Sequence, residues 1–131
     1  MIAGLLLMAA SAGAAHAHAD EQPINCGSCA KWNALHAPFK LHGNSFYVGV
    51  GGLSSVLITT ANGHFLIDGG LPQSAEVIKQ NIQALGFDVR DVEWLLNYRG
   101  GSFLAPATSA LERLCRLRGV AFQTISAGDA A

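Results

Sequence analysis

The stretch SFYVGVGGLSSVLITTANGHFLIDGG, Ser45 to Gly70, constrains the fold more than any other part of the chain. It is dense in Val, Ile, Phe, Tyr and Thr, side chains that sit well on a pleated, half-buried surface, and Asn62-Gly63 separates two of its apolar runs. Asn-Gly is a strong short hairpin signal, because both residues tolerate the positive φ that a tight turn between twisted strands requires. The pattern predicts strands near 45–50, 55–60 and 64–68, the last two joined as a β-hairpin. Gly49, Gly51 and Gly52 have the look of a phosphate loop, but no helix with a lysine follows them. Inside strand-rich text such a cluster marks a bend or a close backbone approach.

After the hairpin the apolar period changes from two to 3.6. In LPQSAEVIKQNIQALGF, Val77, Ile78, Ile82 and Leu85 recur at helical spacing, Pro72 stands before the start and Gly86 supplies a C-terminal stop. A helix over 74–85 is predicted. Val92 to Leu96 then reads as a short buried strand, Ser109-Ala110-Leu111-Glu112 as a capping box opening a second helix through Arg118, and 120–125 as a further strand. This order makes an α/β unit with a mixed sheet. Val56, Ile58, Leu66, Trp94 and Leu96 are expected on one face of that sheet. Arg113, Arg116 and Arg118 read as the solvated face of the second helix. His36, His42 and His64 are dispersed, and His64, just past a turn, is expected to be half-exposed.

The N-terminal end has another character. MIAGLLLMAASAGAA is an apolar run that gives way to small residues, and Ala17-His18-Ala19 fits the small-x-small cleavage rule. Residues 1–19 therefore read as a secretory signal peptide, too short for a span of roughly 20 apolar residues, and the product is expected in the periplasm or outside the cell. His16, His18 and Asp20 carry good zinc donors, yet a cut after Ala19 removes both histidines. Residues 20–44, with Pro23, Gly27, Pro38 and Gly43, read as an irregular segment without a helix, and 45–131 as one small domain.

Half the residues are apolar, 13% are charged and the net charge is −1. That excludes a disordered chain and gives no electrostatic reason to expect nucleic acid or, after signal removal, a membrane as partner. Three cysteines in an exported chain allow one disulfide. Cys26-Gly27-Ser28-Cys29 fits a local disulfide, a redox pair or half a zinc knuckle, the structural or locally paired role being the simplest. Cys115 reads as a small buried residue.

Several longer words stand out beside these patterns: Trp32-Asn33, Ala37-Pro38-Phe39, Gly43-Asn44-Ser45-Phe46-Tyr47-Val48-Gly49, Gly52-Leu53-Ser54-Ser55 and Leu66-Ile67-Asp68-Gly69-Gly70. As a set, over Cys26 to Asn97, they resemble the N-terminal half of a metallo-β-lactamase of subclass B3. The resemblance implies an αβ/βα sandwich, of which this chain carries a truncated N-terminal half. It also implies export and a β-lactam substrate opened by a hydroxide on one or two zinc ions. Zinc suits that reaction because it lowers the pKa of bound water enough to supply a nucleophile at neutral pH.

In the family an H-x-H-x-D-H ligand run follows the strand that matches Val92 to Leu96. Aligned without a gap, the four ligand positions fall here on Arg99, Gly101, Phe103 and Leu104, none of which ligates zinc. No histidine follows His64, and no acidic residue lies between Glu93 and Glu112. Asp68 matches a family residue behind the metal loop; without a metal its simpler role is to accept nearby backbone N–H groups as a structural remnant. The expectation is an exported metallo-β-lactamase homologue, truncated, without a zinc cofactor and inactive by itself. The rival class is a non-catalytic binding module that presents the exposed half-sandwich to another chain, including a second copy of itself.

Overall fold

The computed structural model describes residues 22–98, 110–111, 113–115 and 119–123. The signal-peptide reading, the His16, His18 and Asp20 trio, positions 99–104, Arg116 and Arg118 lie outside them. Six strands form one sheet: β1 (Phe39–His42), β2 (Ser45–Tyr47), β3 (Val56–Ile58), β4 (His64–Ile67), β5 (Val92–Tyr98) and β6 (Gly119–Gln123), in the spatial order of the sequence. Strands β1 to β4 run antiparallel, whereas β4, β5 and β6 are parallel. Parallel neighbours need a crossover. Between β4 and β5 it is the helix α2 (Ala75–Ala84), entered through a 3-10 turn at Pro72–Ser74 and left through another at Val89–Asp91.

Helix α2 ends as its sequence predicts. Gly86 has φ +88, its N–H donates to Gln83 O at 2.9 Å, and the Phe87 N–H donates to Ile82 O at 3.1 Å. This pair of bonds is the Schellman closure, which calls for a residue free to adopt positive φ. Ile78 and Ile82 then bury completely against Leu57, Leu66 and Leu95, which are neighbours across the sheet register. Ala110 and Leu111, in helical conformation, complete the cover on that face. Each large apolar side chain removed from water contributes about 1.5–3 kcal/mol.

The other face is partly exposed. It carries Val56, Ile58, Phe65, Ile67, Trp94 and Leu96, with Ile67 39%, Trp94 40% and Leu96 38% exposed. Leu66, expected among them, is fully buried on the α2 side, and Phe65 and Ile67 stand in its place. The cause is register: Leu66 lies between Leu57 and Leu95 and shares their face, while its strand neighbours Phe65 and Ile67 take the other.

Three further details depart from the sequence reading. The connection from β3 to β4 runs from Thr59 to Gly63 rather than through a two-residue turn. Gly63 takes φ +118, the Thr60 hydroxyl donates to Gly63 O and accepts the Asn62 N–H at 3.2 Å, and the Thr60 N–H donates to His64 Nδ1 at 3.3 Å. His64 is buried, not half-exposed, because Phe87 sets its ring edge-on to the imidazole at 5.6 Å. Within the segment 20–44, the described residues from 22 onward are also more ordered than expected. They hold a one-turn helix, α1 (Cys29–Trp32), behind a Cys26–Cys29 disulfide, and the edge strand β1, joined to β2 through Gly43, φ +53, and Asn44. Among the described residues no helix is long and apolar enough to cross a membrane.

Candidate functional site

Ligands of open α/β sheets bind outside the carboxyl ends of the parallel strands, so the region beyond β4 and β5 is the place to look. The Asp68 N–H donates to Leu96 O at 2.8 Å, which carries the parallel ladder one residue past β4. Asp68 then turns the chain at φ 63, a conformation Asp tolerates better than most residues. Its Oδ1 accepts the Gly70 N–H at 2.9 Å. Gly69 is buried so tightly that a Cβ there would stand 2.3 Å from Leu111 Cδ1 and 3.8 Å from Asn97 Oδ1. Leu71 follows, its N–H held by Ser74 Oγ at 3.0 Å, while the same hydroxyl donates to Asn33 Oδ1 at 2.6 Å.

Asn33 belongs to a strap, residues 24–34, that borders this crevice. Gln73 brackets Ile24, accepting its N–H at 3.0 Å and donating to its carbonyl at 2.9 Å. The Gly51 N–H donates to Ala34 O at 2.7 Å and the Gly52 N–H to Trp32 O at 2.9 Å. A Cβ on Gly52 would lie 2.6 Å from Trp32 Cα, and one on Gly49 would lie 2.5 Å from Ser55 N. The glycine cluster is therefore a seat for neighbouring backbone. Asn81 locks it from α2, its Nδ2 donating to Val48 O and Gly49 O, both at 3.0 Å.

The chemistry available in the crevice is sparse. Asp68 offers a carboxylate already engaged with Gly70, and Asn97 offers a buried amide. His36 is exposed beside Phe39 and Tyr47, His42 is exposed on β1, and His64 lies under Phe87. Among the described residues no three His, Cys, Asp or Glu side chains gather as a metal site requires. Positions 99–104 lie outside the described residues, and their side chains add a guanidinium, a hydroxyl and hydrocarbon. That donor set does not fit zinc. Cys115 is no substitute nucleophile at neutral pH, because burial pushes its thiol up to about 12.

Sequence reasoning passes over Ser74, and it quotes Asn33, Asn97 and Leu111 only in motif words, with no place at the crevice. It also finds no Ser-x-x-Lys pair for the covalent serine route, whereas Ser28 and Lys31 have that spacing. Both side chains are exposed at the one-turn α1. An exposed hydroxyl with no base in hydrogen-bond reach is not an activated nucleophile.

No protein-family model matches the chain. Solved structures do. The Rm3 metallo-β-lactamase is 50% identical, with a TM-score of 0.68, over 74% of this chain and 36% of that one. MEM-A1, a subclass B3 metallo-β-lactamase from a soil metagenome library, is 46% identical over 68% of this chain and 33% of its own, TM-score 0.63. A Cronobacter sakazakii metallo-β-lactamase described by its HARLDQ motif is 39% identical over 69% of this chain and 32% of its own, TM-score 0.63. That motif keeps a histidine and an aspartate; Tyr98 to Leu104 of this chain has neither. This chain thus spans about a third of the length of each of these proteins. Identity at this level over one shared, mixed sheet makes the chain a partial homologue of the metallo-β-lactamases, of the subclass B3 type.

Proposed function

We propose that this chain is an exported, non-hydrolytic relative of the metallo-β-lactamases, carrying the N-terminal half of the sandwich without its zinc hydroxide. One observation carries the reading: β5 delivers Asn97 and Tyr98 next to the Asp68 turn, and the residues that follow, Arg99-Gly100-Gly101-Ser102-Phe103-Leu104, contain no metal ligand. A β-lactam carbonyl needs a nucleophile present at neutral pH, which in a metal hydrolase is the bound hydroxide. Among the described residues no cluster of further metal donors joins Asp68 to hold that nucleophile. The purified mature chain, supplied with zinc, should turn over a chromogenic cephalosporin and a carbapenem at the buffer rate. Turnover that a chelator abolishes would contradict the proposal. Export rests on the apolar leader and the Ala17-His18-Ala19 cleavage word, and N-terminal sequencing of periplasmic protein should begin at Asp20.

A second reading has its own support. The face of Phe65, Ile67, Trp94 and Leu96 is apolar and partly exposed, and contiguous exposed apolar patches mark contact surfaces. In this reading the chain is a binding module that covers this face with another polypeptide, a second copy included.

A further inference from the structure

The strap of residues 24–34 is attached to the fold by hydrogen bonds and contributes no residue to the main core cluster, which draws on the chain from Phe46 onward. Its bonds to Ser74, Gly51 and Gly52 all leave from Trp32, Asn33 and Ala34, at or just past the end of α1. A helix of four residues has no stability of its own. Two features set it in place: Gln73 brackets Ile24 at the start of the strap, and the turn before the helix is closed by the Cys26–Cys29 disulfide and by the Cys29 N–H donating to Cys26 O at 3.1 Å. The two cysteines are not equivalent: Cys29 is 5% exposed, whereas Cys26 is at the surface. An incoming thiolate thus has one cysteine to approach, and a buried partner to serve as the leaving group.

We propose that the Cys26–Cys29 disulfide is a redox latch: closed, it holds the strap on Gly51, Gly52 and Ser74; opened by an external dithiol, it frees the strap while the sheet and α2 stay folded. The exchange balances. One thiolate of the dithiol attacks Cys26 Sγ, the bond between the two cysteines breaks, and its electron pair passes to Cys29 Sγ, which takes a proton. The second thiolate attacks its own neighbour in the mixed disulfide, Cys26 leaves as thiolate and is protonated, and the dithiol becomes a cyclic disulfide. Two electrons move from dithiol to protein. Opening gives up the burial of Cys29 but touches no residue of the main core cluster, so its effect stays local, at the strap, the glycine loop and the rim of the crevice where Ser74 loses its Asn33 acceptor.

The test is hydrogen exchange on the mature chain before and after treatment with dithiothreitol in native buffer, with Cys26→Ser combined with Cys29→Ser as a reductant-free equivalent. Reduction should speed exchange of the Gly51 and Gly52 amides by about tenfold or more, leaving the amides of β3 to β5 as slow as before, as expected of a local opening. Unchanged protection at Gly51 and Gly52 in the reduced protein would overturn the latch. So would loss of protection across the whole sheet, which would make the disulfide a staple of the fold, and so would a disulfide that resists the dithiol until the protein denatures.

Discussion

Trp94 stacks on Phe65, ring centroids 6.2 Å apart and planes 15° apart, on a face that leaves Trp94 40% exposed. Around this pair the register sets Ile58 beside Phe65, and Val56 and Leu96 on either side of Ile67. Burying such a side chain completely from an exposed start contributes about 1.5–3 kcal/mol, and the roughly 40% of Ile67, Trp94 and Leu96 still exposed leaves a share of that to be gained by covering the face. In size-exclusion chromatography with light scattering the mature chain should run as a dimer or larger, and Trp94→Glu should restore the monomer without loss of secondary structure. A monodisperse wild-type monomer, unchanged by Trp94→Glu, would show that the face is stable in water.

Asn81 is the only described polar residue of α2 whose side chain reaches the buried Val48 and Gly49 carbonyls, and it also donates to His36 O at 3.2 Å. Leaving a buried carbonyl unpaired costs about 1–3 kcal/mol. Asn81→Ala should lower stability by about 2 kcal/mol or more, read as a drop in the urea midpoint at unchanged slope. A loss below about 0.5 kcal/mol, the range of ordinary surface changes, would mean that water replaces the amide.

The glycines separate by what they face. A Cβ on Gly49 would meet the backbone of Ser55 and Leu53 at 2.5 and 2.6 Å, and one on Gly52 the Trp32 Cα at 2.6 Å, whereas Gly27 has nothing within 4 Å. Backbone cannot step aside as a side-chain tip can. Gly49→Ala and Gly52→Ala should each cost about 1–3 kcal/mol, the range of overpacking, and Gly27→Ala should stay within about 0.5 kcal/mol. Thermal melts of the three variants decide it.

Burial raises the Cys115 thiol to about 12 from an ordinary value of 9.0. The folded state therefore favours the protonated thiol, so this contribution to stability is whole below pH 9 and is lost as pH climbs from about 9 toward 12. Denaturation curves should show wild type losing stability faster than Cys115→Ala across that window. Parallel curves would show that Cys115 ionises in the folded protein as readily as in the unfolded chain.

Local signals were legible and distant ones were not. Helix α2 and its Gly86 stop follow from apolar period and a single turn, both contained within a few residues. The Asp68-Gly69-Gly70 word was visible, but the need for Gly69 comes from Leu111, far along the chain. Leu66 was placed on the wrong face because alternation alone does not say which face α2 covers. His64 was read as half-exposed because its burial depends on Phe87, beyond the helix. Helix α1 was missed since four residues give no period, and its position depends on the disulfide before it. The positions that the resemblance assigns to ligands, Arg99, Gly101, Phe103 and Leu104, lie outside the described residues, and their reading rests on side-chain chemistry alone.

Zinc content is the most direct measure of whether that chemistry decides the matter. The mature chain, loaded with zinc and dialysed against metal-free buffer, should retain far less than one ion per chain, since structural and catalytic zinc sites draw about three or four protein ligands together. One tightly held zinc per chain that survives Cys26→Ser with Cys29→Ser and disappears in Asp68→Ala would contradict it, and would place a working metal site beside the Asp68 turn.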